Sequence, residues 1–202
     1  MEIIVDPKAK GLIFDLDGTL SNSLPVHVHN WNALGEKYGF KFDNNILHRM
    51  TGRPTIEFAR VIIEENNLSV SAEELVKSKQ ELFWGSVGLV TPIKEVLAIV
   101  KKYYGKLPMS VGTGASRRSA ELQLATLKID YCFVAVVSAN DVSRHKPDPD
   151  TFLRCAELMG VEPSECQVFE DGVLGIAAAK NAGMMVTDVR EYIDYGSWVL
   201  SK

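Results

Sequence analysis

The sequence predicts an α/β protein, a doubly wound parallel sheet with a block of helices inserted after the first strand. Three observations carry this. Short apolar runs rich in branched and aromatic residues recur along the chain, as in the buried strands of parallel sheets. From about residue 90 onward they alternate with helix-spaced apolar residues, the signature of βαβ units. Between residues 24 and 88, only helical spacings occur. The expected division is therefore residues 1–20 and 90–202 for the α/β core and 21–89 for the helical block.

The first strand is Leu12-Ile13-Phe14, which runs into Asp15-Leu16-Asp17-Gly18-Thr19-Leu20. Gly18 ends it in a turn. Residues i and i+2 of a strand share a face, so Asp15 and Asp17 are expected to reach one volume beyond its carboxyl end. In the helical block, Trp31, Leu34 and Tyr38 fall at helical spacing, as do Ile56, Ala59 and Ile63. Pro54 suits a first turn. Ser71-Ala72-Glu73-Glu74 reads as a capping box before a helix carrying Leu75 and Leu82.

After residue 90, Thr91-Pro92 reads as a cap and first position for a helix with Ile93, Val96, Leu97 and Val100 on one face. Strands are predicted at 107–112, 132–137, 167–169 and 185–189. Between them lie a helix carrying Ala120, Leu124 and Leu127 and one opened by Asp148-Pro149 with Phe152, Cys155, Ala156 and Met159. An alanine-rich helix follows Gly172.

Composition bounds the function. With 202 residues, 46% of them hydrophobic and 24% charged, the chain suits a soluble globular protein with a sizeable core. A net charge of −4 argues against a nucleic-acid or membrane surface. No apolar run reaches membrane-spanning length, and residues 1–10 do not read as a signal peptide. Cys132, Cys155 and Cys166 lack metal or redox spacing and read as buried, reduced thiols. A cytoplasmic monomer acting on a small molecule is expected.

Polar residues gather at the predicted strand ends: Asp15 and Asp17, then Thr113-Gly114, His145-Lys146-Pro147, and Glu170-Asp171. Taken singly, each has an ordinary reading. Thr113 or Ser116 suits a helix N-cap, Lys146 a surface turn, and Glu170-Asp171 the positive end of a helix. Together they mark a site. Gly112-x-Gly114 is no dinucleotide fingerprint, because Arg117 stands where the third glycine belongs. Four carboxylates without a histidine or cysteine cluster suit a hard cation, best Mg²⁺. Around it one carboxylate can attack phosphorus, a second can shuttle the proton, and Thr113, Gly114 and Lys146 can hold phosphoryl oxygens.

Those four motifs, in order and through nearly the whole chain, resemble the haloacid dehalogenase superfamily of phosphotransferases. The resemblance implies a Rossmann-like core under a mobile helical cap, with Asp15 as nucleophile and Asp17 as general acid/base. It also implies Mg²⁺ held by Asp15, the backbone carbonyl of Asp17, Glu170 and Asp171. His27 and Trp31, with Phe169-Glu170-Asp171, Gly175 and Ala177-Ala178-Ala179, are similar to the β-phosphoglucomutase-like branch. Val111-Gly112-Thr113-Gly114 and the run from His145 to Cys155 look most like fructose-1-phosphate/6-phosphogluconate phosphatases. Asn22 departs from an aspartate common after the first motif. Thr55 stands where the mutase has an arginine for its second phosphate.

The expected activity is thus Mg²⁺-dependent hydrolysis of small sugar phosphates through an aspartyl phosphate, with a sugar phosphomutase as the alternative. His27, Trp31, Arg53 and Lys77 are candidates for sugar contact, Trp31 being equally a core residue. Lys79 reads as solvated, and His29 and His48 as structural or exposed. A phospho-acceptor signalling domain would not place sixty helical residues after its first strand. A silent sugar-phosphate binder would be expected to lack Asp15 or Asp17.

Overall fold

The computed structural model describes residues 2–50 and 52–195, the His48 side chain excepted. The expectations for residues 196–202 and for His48 lie outside the described residues. In chain order the strands and α-helices are β1 (Gly11–Phe14), β2 (Ser21–Asn22), α1 (Leu24–Tyr38), α2 (Asn45–Met50), α3 (Thr55–Asn66), α4 (Ala72–Ser86), β3 (Thr91–Pro92) and α5 (Lys94–Tyr103). There follow β4 (Met109–Gly112), α6 (Arg117–Leu127), β5 (Ala135–Val137), α7 (Asp150–Met159), β6 (Cys166–Glu170), α8 (Val173–Asn181) and β7 (Met185–Asp188).

Five strands form one sheet in the order β5-β4-β1-β6-β7, every pair parallel. β1 is central, so residues at its carboxyl end have neighbours on both sides. Strand alternation then sorts the core. Leu12 and Phe14 pack with Val96, Val100, Ala120 and Leu124 of α5 and α6 on one face. Ile13 packs with Phe152, Cys155, Ala178 and Ala179 of α7 and α8 on the other. Each fully buried Leu, Ile or Phe here removes enough apolar surface to contribute about 1.5–3 kcal/mol. Phe14 also stacks on Phe169 of β6, ring centroids 4.9 Å apart, which locks the two central strands side by side.

The four helices between β2 and β3 carry a hydrophobic cluster of their own, including Trp31, Leu34, Phe58, Ala59, Ile62 and Leu75. They join the sheet through the short antiparallel pair of β2 and β3, where Ser21 faces Pro92 and Asn22 faces Thr91. Thr91-Pro92 is therefore a strand and not a helix start. The proline tolerates this because a two-residue edge needs few backbone donors. Helix α5 begins after Ile93.

Other expectations shift by a position. The buried face of α3 is Phe58, Ala59 and Ile62 instead of Ile56, Ala59 and Ile63, because nearly every side of this helix carries an apolar residue. Pro54 stands just before α3 as its cap. In α4, Leu75 and Phe83 are inside while Leu82 is exposed. Ser71 does cap α4, accepting from the Glu74 N–H at 3.2 Å. The third core strand starts at Ala135, since Asp130–Cys132 closes into a 3₁₀ turn. The second starts at Met109. All three cysteines are free thiols, with Cys155 and Cys166 buried and Cys132 half-buried. No helix among the described residues is long and apolar enough to cross a membrane.

Candidate active site

β1 ends at Phe14, so Asp15 and Asp17 project from a loop and not from one strand face. The ladder carries on for one residue, with the Asp15 N–H donating to the Phe169 carbonyl at 3.0 Å. The chain then coils tightly, and the Leu16 carbonyl accepts from the N–H groups of Thr19, Leu20 and Ser21. Gly18 takes φ +88°, and a side chain there would collide with the Asp171 carboxylate. Both aspartates nonetheless line one cavity, from a loop instead of from one strand face.

Under that cavity lies a buried charge cluster. Lys146 Nζ sits 2.6 Å from Asp15 Oδ1 and 2.7 Å from Glu170 Oε2. Asp15, Glu170 and Asp171 each bring a carboxylate oxygen within 4.8 Å of the others. Thr19 Oγ1 donates to Asp171 Oδ1 at 2.8 Å, and Glu170 Oε1 accepts from the Gly172 N–H at 2.8 Å. Burial, then the Glu170 carboxylate, push Asp15 well above the usual carboxylate range, against the pull of Lys146. Burial and Glu170 likewise push Asp171 up to about 8. Burial would lower Lys146, but Asp15 and Glu170 outweigh it and hold the ammonium firmly charged.

Three carboxylates facing one ammonium leave a deficit of positive charge. An all-oxygen donor set of this kind fits a hard divalent cation.

Asp17 keeps its carboxylate out of this cluster. Its Oδ1 accepts from Ser23 Oγ at 2.5 Å, Gln123 Nε2 at 2.9 Å and His27 Nε2 at 3.1 Å. Burial alone would raise the Asp17 carboxyl, but these bonds outweigh it and bring it to about 2. Lys79 Nζ donates to His27 Nδ1 at 3.0 Å, which leaves the imidazole proton on Nε2, facing Asp17. Burial and the Lys79 charge lower the His27 value, so this ring is neutral at pH 7.

Lys79 is thus buried at 4% exposure and not solvated. Burial pulls its ammonium down to about 8, partly offset by Asp17. Lys77 is the opposite case. It points to solvent and does not line the cavity, because the inward face of α4 is Leu75, Lys79 and Phe83. Lys77 stands two residues from Leu75 and two from Lys79, about half a helical turn from either.

The cavity spans about 760 Å³ counting the solvent in its open mouth. Its polar side includes Thr113, Gly114, Ser116 and Gln123, and its other side Trp31, Phe58 and Phe83. Trp31 lines the cavity and also stacks on Phe42 within the helical cluster. Thr113 Oγ1 accepts from the Ala115 N–H, whereas Ser116 is the actual N-cap of α6. Gly114 lies under the inserted helices so closely that a Cβ would stand 2.5 Å from the Gly52 carbonyl oxygen. Arg53 lines the cavity but its guanidinium is paired with Glu57. His29 is exposed.

Sequence reasoning missed Ser23, Lys79 and Gln123. A signal existed for the last two, since each is a polar residue set on an apolar helical stripe.

A fructose-1-phosphate phosphatase, YqaB of Escherichia coli (strain K12), is 42% identical over 181 residues, covering 89% of this chain and 96% of the relative. The β-phosphoglucomutase of Bacillus subtilis (strain 168) is 29% identical over 188 residues, covering 89% and 83%. Among solved structures, a β-phosphoglucomutase from Clostridium difficile matches the fold with a TM-score of 0.77 at 24% identity, over 88% of this chain and 83% of that one. Residues 12–189 match the sequence model of the haloacid dehalogenase-like hydrolases, and the chain belongs to that family.

Proposed function

We propose that this protein is a Mg²⁺-dependent phosphatase of small sugar phosphates, with fructose 1-phosphate and 6-phosphogluconate as first candidates. The observation that carries the reading is the pairing of Lys146-bound Asp15 with a separately held Asp17 at one cavity. Asp15 would attack phosphorus as its carboxylate, forming an acyl phosphate as the bond to the sugar oxygen breaks. Asp17 would give that oxygen a proton, then take one from the water that attacks the acyl phosphate. Inorganic phosphate leaves and Asp15 is regenerated. At about 2, Asp17 starts as a carboxylate; the arriving phosphate dianion beside it raises its proton affinity by like-charge repulsion, and it takes up a proton from solvent before it acts as the acid.

Mg²⁺ would be held by Asp15, Glu170, Asp171 and the backbone carbonyl of Asp17. When bound, it supplies charge neutralisation and a Lewis-acid contact to a phosphoryl oxygen. Thr113, Gly114 and Lys146 would hold the other phosphoryl oxygens, and His27, Trp31 and Arg53 the sugar side. The helical block, residues 21–89, would close over the substrate as a cap.

The mutase reading draws support from Arg53 in the cavity wall. The hydrolase reading is better supported, because Arg53 is engaged by Glu57 and Thr55 brings only a hydroxyl. The test is phosphate release across a sugar-phosphate panel, run beside glucose 1-phosphate isomerisation primed with the bisphosphate. Efficient isomerisation with little free phosphate would overturn the hydrolase.

A further inference from the structure

Gln123 lies on α6, wholly buried, in the wall of the cavity. Its Nε2 donates to Asp17 Oδ1 at 2.9 Å. Its Oε1 is buried without a hydrogen-bond partner among the described residues. A buried carbonyl oxygen without a partner is destabilising. A leucine or methionine between Ala120 and Leu124 would suit this apolar stripe better.

The other two side chains that grip Asp17 come from one direction. Ser23 and His27 lie at the start of the inserted helices, on the connection through β2. Gln123 alone among these donors comes from the layer packed on the sheet. All three converge on Oδ1, which leaves Oδ2 as the oxygen free to exchange a proton with substrate.

We propose that Gln123 is a positioning residue for Asp17, holding Oδ1 from the sheet side so that Oδ2 faces the leaving oxygen. The proposal rests on the reading of Asp17 as general acid. It predicts a substrate-selective defect. A sugar alkoxide is a poor leaving group and needs its proton, whereas p-nitrophenolate leaves without one.

The experiment compares wild type, Asp17→Asn, Gln123→Met and Gln123→Leu on fructose 1-phosphate and p-nitrophenyl phosphate, with melting temperatures alongside. The quantity read is kcat/KM, which covers steps through departure of the first leaving group. Gln123→Met is expected to lose at least roughly tenfold on fructose 1-phosphate and little on p-nitrophenyl phosphate, with an unchanged or raised Tm. Gln123→Leu also removes the N–H donor and should show the same selectivity if the methionine variant folds poorly.

Equal losses on both substrates with a lowered Tm would make Gln123 structural and overturn the inference. So would full activity on both. A selective defect in Asp17→Asn combined with none in either Gln123 variant sinks this inference alone. A uniform loss in Asp17→Asn sinks the general-acid reading, and this inference with it.

Discussion

Lys146 and Asp15, 131 residues apart in sequence, hold Nζ and Oδ1 at 2.6 Å in a site that is almost wholly buried. Removing the lysine would leave Asp15, Glu170 and Asp171 facing each other without a cation. Lys146→Met is therefore expected to lower stability by about 3–5 kcal/mol, as broken buried pairs do. Asp15→Asn removes one of three crowded carboxylates, so it should fold normally while turnover falls by roughly four orders of magnitude or more. Denaturant melts and phosphate release on the purified variants check both. Substantial activity in Asp15→Asn would refute the covalent route.

The acid cluster should respond to metal. Mg²⁺ is expected to raise the melting temperature, by the equivalent of about 2.7 kcal/mol at a hundred times its Kd. Asp171→Ala should flatten that response and raise the Mg²⁺ concentration needed for activity. Ca²⁺ should inhibit, because it takes more ligands at longer distances and displaces the nucleophile from phosphorus. Equal activity with either ion, or activity and melting temperature left unchanged by excess chelator, would refute the assignment.

Lys79 predicts a pH dependence of stability. Its proton leaves at about 8 in the folded protein against an ordinary 10.5. Between those values the unfolded chain binds more protons, so this group's contribution to stability rises with pH. From pH 7 to 9.5 the gain is roughly 2 kcal/mol. Lys79→Met lacks the titrating group, so its stability relative to wild type should be most favourable near pH 7 and decline above 8. A difference between the two proteins that stays flat over this range would show that Lys79 is not buried as an ammonium.

Arg53 and Thr55 separate hydrolysis from phosphate exchange. With Arg53 paired to Glu57, the cavity has no free fork for a second phosphate among the described residues. Thr55→Arg is expected to tighten binding of a sugar bisphosphate by about tenfold, the effect of one added charge-assisted contact of about 1.4 kcal/mol. Glu57→Gln, which frees Arg53, should move in the same direction by less. Competition against phosphate release from fructose 1-phosphate measures both. Unchanged inhibition constants would mean that this wall does not meet the distal end of the substrate.

Much of this architecture was legible in the chain. Ile13 against Leu12 and Phe14 follows from strand alternation. The gathering of Asp15, Thr113, Lys146 and Glu170 at one sheet edge follows from βαβ connectivity, which sends every parallel strand the same way. Boundaries were less legible. Thr91-Pro92 has the local chemistry of a helix start, and only its pairing with Ser21-Asn22 makes it a strand.

What the sequence determined by itself was the chemistry. The residue types, their order and their apolar spacing specify an oxygen-rich strand-end site on a parallel sheet, because periodicity and turn residues act locally. What only the tertiary structure decided was which polar residues face that site. Lys77 and Lys79 differ by two positions and look alike as letters, yet one is solvated and the other reaches His27. Gln123 meets Asp17 across 106 residues. Such contacts depend on how whole helices rotate and settle against their neighbours. That is fixed by the summed packing of Leu75, Phe83, Ala120 and Leu124 and by no pattern within a single helix.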